Sequence, residues 1–270
     1  MTRVSVLERI ARALERLAPA PVAEADPERS PAMRWDGRHL LPVTPAPVLP
    51  AERFVGVDAQ ILALRHNLTS LARGGPAHDM LLWGARGMGK SALVRTLSAE
   101  AGLGLVECAG PDLPSLPLLF ARLAELRRPL VVFVDDVAFR RDDPALRLLR
   151  SLLDGGAARR PEACRLAVTS NHRHLVVEDA PSEARHPRDA AEDRLALVDR
   201  FGLVLGFHPP DQAQYLEMCR RHLAACGLEL DEGEALAFAL ARGGRSGRTA
   251  WHHAQDRAVR AGQDGPCFCD

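Results

Sequence analysis

The chain has 270 residues, and its 35 basic and 35 acidic side chains cancel to a formal net charge of zero. That balance excludes the strongly basic profile of a protein that coats nucleic acid, while leaving protein and nucleic-acid clients both open. Apolar residues make up 47%, enough for a sizeable core, and no apolar run reaches the length of a membrane span, so no membrane partner is expected.

The first residues, Met1 to Val4, lead into an amphipathic pattern rather than a signal-peptide core, and the cytoplasm is the expected location. Val6, Leu7, Ile10, Ala11, Leu14 and Leu17 recur at helical spacing. They predict a short N-terminal helix that packs on the main domain or docks a partner. Prolines then recur from Pro19 to Pro50, which reads as a linker or an extended arm. Phe54-Val55-Gly56-Val57-Asp58 opens a helix running to about Leu71. Met80-Leu81-Leu82-Trp83 is a short apolar run stopped by glycine, the mark of a buried strand. Ser91 to Ala99 reads as the helix after it.

Leu103 to Cys108, Leu130 to Val134, Leu166 to Thr169 and Leu203 to Phe207 are further strands. Helices fall between them, over Leu116–Leu126 and from Asp143-Pro144 to Gly155-Gly156. The latter begins with an N-cap and a proline at the first helical position. Val177 to Asp193, charged and interrupted by Pro181 and Pro187, reads as a surface loop. Past Pro209-Pro210 the pattern is wholly helical: Asp211–Ala225, Asp231–Ala241 and Ser246–Ala261. Strands alternating with helices predict an α/β fold, a parallel sheet in a three-layer αβα sandwich, followed by a small all-α lid. The expected division is an arm over 1–50, a core over 51–208, a lid over 209–263 and a tail over 264–270.

Gly84-Ala85-Arg86-Gly87-Met88-Gly89-Lys90-Ser91 matches G-x-x-x-x-G-K-[ST], the phosphate-binding loop, and it lies between a strand and a helix. Lys90 is the only lysine; every other member of the 35 is arginine. A planar guanidinium is a poor substitute for a compact ammonium wrapped by backbone, which gives the solitary lysine its meaning. Such a loop turns successive N–H groups onto a phosphate, and the helix that carries Ala92 in its first turn aims its N-terminus at the same anion. Lys90 would hold β- and γ-phosphates and Ser91 would coordinate Mg2+, so ATP and Mg2+ are the expected cofactors.

Asp135 directly follows the strand ending at Val134, where a second Mg2+-organising acid belongs. Asp136 is either the base that orients an attacking water, or a helix cap or partner of Arg140 or Arg141. Asn171, one of two asparagines in the chain, follows the strand ending at Thr169. Its amide either bonds the γ-phosphate or the water, or simply ends the strand in a turn. A guanine motif of the form Asn-Lys-x-Asp cannot exist with Lys90 as the sole lysine, which excludes a standard GTPase. His172 and His174 flank Arg173 in a polar loop without the further ligands a metal would need. Cys108, Cys164, Cys219 and Cys226 read as small buried hydrophobes. Cys267 and Cys269, the only close pair, are tail residues or a metal or redox pair.

The order of phosphate loop, apolar strand with Asp-Asp, strand with Thr-Ser-Asn, arginine before the last strand and helical lid resembles the AAA+ ATPases. More narrowly, LLWGARGMGKS, FVDDVAF, TSNHRHL, DRFGL and GGRSGRTA resemble the single-module predicted ATP-binding proteins of that superfamily, a family labelled as a domain of unknown function. The likeness covers about Phe54 to Ala261 and implies a P-loop NTPase fold. It implies that Lys90 and Ser91 form the first nucleotide motif, Asp135 and Asp136 the second, and Asn171 sensor 1. Arg200, in Asp199-Arg200-Phe201-Gly202, matches an arginine finger that reaches a neighbouring subunit's γ-phosphate, hence a homo-oligomer. Arg248 matches sensor 2, with Arg245 as the alternative, and Phe54, Val55, Gly56 and Val57 match the adenine-pocket segment. Most AAA+ enzymes carry glutamate where this chain has Asp136; the narrower family tends to aspartate. The implied function is Mg2+-dependent ATP binding and hydrolysis by an oligomeric remodelling or loading ATPase with an unidentified client. The alternative is an ATP-state-dependent binding module or scaffold with little hydrolysis.

Overall fold

The computed structural model describes residues 8, 10, 22–45, 47–140, 143–155, 161–173, 175 and 197–263. Apart from residues 8 and 10, the helix expected over 6–17 lies outside that set, as do the loop 177–193, His174 and the cysteine pair of the tail. Among the described residues the sheet has seven strands: β1 (Ala32–Trp35), β2 (Leu40–Pro42), β3 (Met80–Gly84), β4 (Gly104–Cys108), β5 (Leu130–Val134), β6 (Cys164–Ser170) and β7 (Leu203–Phe207). Their spatial order is β2-β1-β4-β5-β6-β3-β7, all parallel except for the antiparallel pair β1 and β2.

Around the sheet stand α1 (Asp58–Ala72), α2 (Lys90–Glu100), α3 (Leu116–Arg122) and α4 (Pro144–Leu153). After it come α5 (Gln212–Ala224), α6 (Glu232–Ala241) and α7 (Gly247–Arg260). A central parallel strand buries both faces, so side chains alternate between two cores. On β5, Val132 and Val134 pack with Leu119 and Phe120 of α3 and Leu149 of α4. Val131 and Phe133 point the other way, toward Leu64 and Leu68 of α1 and Leu93 and Leu97 of α2. That second core runs on into Tyr215 and Cys219 of α5, Ala239 of α6 and Ala250 of α7. The C-terminal helices therefore share an apolar cluster with the face of the sheet that carries α2.

Local signals start each of these late helices. Asp211 and Gln214 form a reciprocal capping box on α5, Asp231 accepts from Glu234 N at 2.9 Å, and Ser246 accepts from Thr249 N at 3.0 Å. Asp143 likewise caps α4 by accepting from Ala145 N at 2.8 Å.

The proline-rich stretch holds a finding that the sequence pattern concealed. Within it, β1 and β2 form a hairpin, and β1 pairs in parallel with β4 from Ala32↔Leu105 to Trp35↔Cys108. Met33 and Trp35 are buried, and the Trp35 indole donates to Ser115 Oγ at 2.6 Å. Pro42 is tolerated because β2 is the edge strand, where a missing N–H breaks no ladder. Further along, Leu49 C=O accepts from Thr96 Oγ1 at 2.8 Å. The segment thus runs from the sheet edge back across α2.

Register sets the functional edge. β3, β6 and β5 are neighbours, with Trp83 opposite Ser170 and Val134 opposite Val168. Their C-terminal ends bring the loop after Gly84, Asn171 and Asp135-Asp136 to one edge of the sheet, although 87 residues of sequence separate Gly84 from Asn171.

Candidate functional site

The glycine loop bends sharply between β3 and α2. Gly84 has φ +135°, and a Cβ there would lie 1.9 Å from the Phe207 carbonyl oxygen, so no other residue fits. Gly89 has φ +84°, and its Cβ would meet the Phe54 ring at 2.9 Å. Gly89 caps α2, and Lys90 is the first helical residue.

Lys90 is buried. Its Nζ donates to Gly84 C=O at 2.7 Å, to Ala85 C=O at 2.9 Å and to Asn171 Oδ1 at 3.1 Å. Burial pushes the ammonium below its usual range, Asp136 and Asp135 pull it back up, and Arg248 and Arg86 push it down again. The Asn171 amide uses its other end to donate from Nδ2 to Asp136 Oδ1. Lysine, asparagine and aspartate thus form one chain from the start of α2 past the ends of β6 and β5.

Asp136 has φ +52°, a left-handed backbone that aspartate adopts at a cost of about 1 kcal/mol. Its N–H donates to Thr169 Oγ1 at 2.8 Å, and Thr169 Oγ1 donates to Asp135 Oδ1 at 2.5 Å. The helix cap nearby is Asp143, not Asp136. Asp135 Oδ1 also accepts from Ser91 Oγ at 2.5 Å, and Asp135 Oδ2 stands 3.7 Å from Arg95 Nη2. Arg95 is held by Glu107 Oε1 at 2.6 Å and lies over the Phe133 ring.

Two hydroxyls and one carboxylate make a hard oxygen set, which suits Mg2+ completed by substrate phosphates and water. Among the described residues no three His, Cys, Asp or Glu side chains gather into a denser cluster. The residues present therefore fit Mg2+ held by Ser91 and Asp135.

These groups line a cleft of about 820 Å³ between the sheet edge and the C-terminal helices. Among the described residues five cationic ones line it, Arg53, Arg86, Lys90, Arg95 and Arg248, against two carboxylates, Asp135 and Asp136. In a chain of zero net charge this is a local excess of positive charge, and it suits a polyanion. Phe54, Val55, Val57, Met218, His222 and Trp251 supply an apolar and aromatic part of the lining.

Most of the sequence-predicted residues meet here. Gly87, Met88, Gly89, Ser91, Ala92, Asn171 and Arg248 line the cleft, and Gly84 and Ala85 meet it through the carbonyls that hold Lys90. Gly56 is exposed and does not line the cleft; it turns the chain beside Gln214, where a Cβ would lie 2.7 Å from Nε2. Arg248 faces the cleft and its N–H donates to Gly87 C=O at 3.0 Å; Arg245 is exposed and does not line it. Arg200 stands apart, with Nε 2.5 Å from Asp154 Oδ1 at the end of α4.

Sequence reasoning missed Thr169, Arg95, Arg53, His222, Met218 and Trp251. A signal existed for Arg95, which is four residues after Ser91 and so on the same helix face. Thr169 is the penultimate residue of β6, two positions before Asn171. The others carry no local signal.

Strand order, the glycine loop between β3 and α2, and the helical addition after β7 define a P-loop NTPase of the AAA+ superfamily. Within it, the family described as "Protein of unknown function (DUF815)" matches residues 28–261, and the chain belongs to that family. It is also similar to Holliday junction branch migration complex subunit RuvB of Koribacter versatilis, 27% identical over 180 residues covering 62% of this chain and 46% of that protein. The RuvB of Rubrobacter xylanophilus is 38% identical over 91 residues, covering 32% of this chain and 24% of the relative. The chain spans less than half the length of these curated relatives. Among solved structures, the Thermotoga maritima RuvB Holliday junction branch migration motor superposes with a TM-score of 0.54 at 19% identity, over 80% of this chain and 67% of that one. That likeness is one of fold.

Proposed function

We propose that this AAA+ protein binds ATP with Mg2+ in the cleft and hydrolyses it, working in the cytoplasm as an oligomer that remodels or loads a client. The reading is carried by one observation: the excess of cations around the glycine loop, with the Lys90–Asn171–Asp136 chain at its centre. A triphosphate supplies the anion that this charge lacks. In the proposal Lys90 and the loop N–H groups hold the phosphates, Arg86 and Arg248 add charge, and Ser91 and Asp135 hold Mg2+, which neutralises the developing charge when bound. Asp136 accepts the proton of the attacking water, and Asn171 orients both. Val55 borders the base, and Gly56 turns the chain beside it. Arg200, outside its own cleft, serves the cleft of a neighbouring subunit.

Calorimetric titration with ATP and Mg2+ tests the binding. Saturable affinity is expected for the wild type and none for Lys90→Ala. Wild-type protein that shows no saturable affinity ends the proposal. Steady-state phosphate release tests the chemistry, and branched DNA added to that assay tests the client class that the relatives' names give.

One observation favours a second reading, a nucleotide-dependent scaffold with little turnover. Asp136 has a shorter reach than glutamate, and its carboxylate is already engaged by Asn171. Misplacing a general base by about 1 Å can cost about 100-fold in rate. Tight ATP binding with phosphate release at background would select this reading.

A further inference from the structure

Beyond the phosphates, the cleft holds an arginine that the reading above leaves without a task. Arg53 ends a short 3-10 turn, Ala51–Arg53, just before Phe54. Arg53 lines the cleft, and its Nη1 is buried with no hydrogen-bond partner among the described residues. A buried N–H without an acceptor is costly, and more so on a charged group. The other cleft cations for which bonds are described, Lys90 and Arg95, have acceptors.

The surroundings of Arg53 are those of a flat ring rather than of a phosphate. Phe54, Met218, His222 and Trp251 line the same cleft, and Arg53 acts on His222 directly. His222 is 4% exposed, and burial, with Arg53 beside it, pushes its imidazole down to about 4. At neutral pH the ring is therefore uncharged and does not repel the guanidinium. The position of Arg53 is fixed from behind, since Arg221 donates to Glu52 C=O at 2.5 Å and to Phe54 C=O at 3.0 Å. A donor locked beside aromatic and apolar walls calls for a planar ligand that brings an acceptor.

We propose that Arg53 reads the nucleobase, donating from its buried Nη1 to a ring nitrogen of a purine seated against Phe54, Met218, His222 and Trp251. The assignment rests on the proposal that the cleft takes a nucleoside triphosphate, and it adds the group that distinguishes a base from bare phosphate.

Calorimetry with two ligands separates the two ideas. Tripolyphosphate with Mg2+ carries the phosphates without the base. Wild type should bind ATP more tightly than tripolyphosphate. Arg53→Leu should lose about 10-fold in ATP affinity and keep its tripolyphosphate affinity, and Arg53→Lys should recover part of the loss. The purine acceptor is then found with 1-deaza-, 3-deaza- and 7-deaza-ATP. One of the three should bind wild type about 10-fold more weakly than ATP, and this deficit should vanish in Arg53→Leu. If Arg53→Leu weakens both ligands equally, or if all three analogues match ATP on wild type, the assignment is overturned. A wild type that binds neither ATP nor tripolyphosphate overturns the nucleotide reading itself, a separate outcome. Near-ultraviolet circular dichroism checks that Arg53→Leu is folded, and the deaza series on wild type decides the question even if it is not.

Discussion

The two ends of the cleft are built in opposite ways. The phosphate end is local: residues 84–92 form a continuous loop and helix start, and Asp135 and Asn171 arrive at the ends of neighbouring strands. The proposed base end is assembled from distant pieces, with Arg53 and Phe54 before α1, Met218 and His222 on α5, and Trp251 on α7. The first is polar and backbone-driven, so its chemistry is fixed by turn geometry. The second is apolar and depends on how the C-terminal helices pack on the core. A change at the phosphate end should abolish binding without disturbing the fold, whereas a change at the base end should move affinity and stability together.

The largest effect is expected at Lys90. Lys90→Ala should weaken ATP by at least about 100-fold, since charge-assisted hydrogen bonds worth about 3 kcal/mol go with it. The nucleotide-free fold should hardly change, because burial already holds that ammonium below its ordinary range. A chemical-denaturation midpoint that falls sharply in Lys90→Ala would break the contrast between the two ends.

His222 supplies the counterpart at the base end. Its folded-state value is pushed from the ordinary 6.5 down to about 4, by burial first and then by Arg53. Between those values the unfolded chain takes up a proton that the folded chain refuses. Stability is therefore full above about pH 6.5 and declines as pH falls toward 4, by about 2 kcal/mol at pH 5 from this group. His222→Leu should remove that share of the slope in urea melts. The remainder should include His253, also pushed down by burial. An unchanged slope would mean that His222 is solvated.

Asp135 tests the metal half of the phosphate end. In Asp135→Asn the enhancement of ATP affinity by Mg2+ should shrink by about 10-fold, roughly one charged ligand's worth. Affinity measured in chelator should hold or rise, because a negative charge has left the cleft. Equal losses with and without Mg2+ would assign Asp135 to holding Ser91 and Thr169 rather than the ion.

This contrast also explains what could be read from the residues alone. Gly84 to Ser91 is contiguous, and each glycine answers a local steric demand, so the motif names its own geometry. Asp135 and Asn171 follow apolar runs that end at the same sheet edge, and that edge is a consequence of parallel strands. Strands β1 and β2 escaped because they span only four and three residues and sit among prolines that suggest a linker. Their order comes from pairing with β4, a contact 73 residues away from Ala32 to Leu105. Met218, His222 and Trp251 occupy positions on amphipathic helices where any large side chain reads as core. Arg53 is one arginine among many, and only the buried, unpartnered nitrogen sets it apart.

Arg200 lies at neither end of the cleft, and its expected effect on the fold is the smallest. Its pair with Asp154 is partly exposed, with 32% and 49% of the two side chains accessible. Such a pair contributes at most about 1 kcal/mol, so Asp154→Ala should leave the denaturation midpoint nearly unchanged. Its effect on turnover is a different matter. If Arg200 serves a neighbour, Arg200→Ala should lose phosphate release while keeping ATP affinity, since its own cleft is intact. Lys90→Ala should lose both, yet it still carries a good arginine. Mixing the two inactive variants should then restore part of the turnover, because an intact cleft on one subunit meets an intact Arg200 on the other. Two inactive proteins that stay inactive when mixed under conditions where wild-type subunits assemble would remove Arg200 from the neighbour's site and leave it as the surface partner of Asp154.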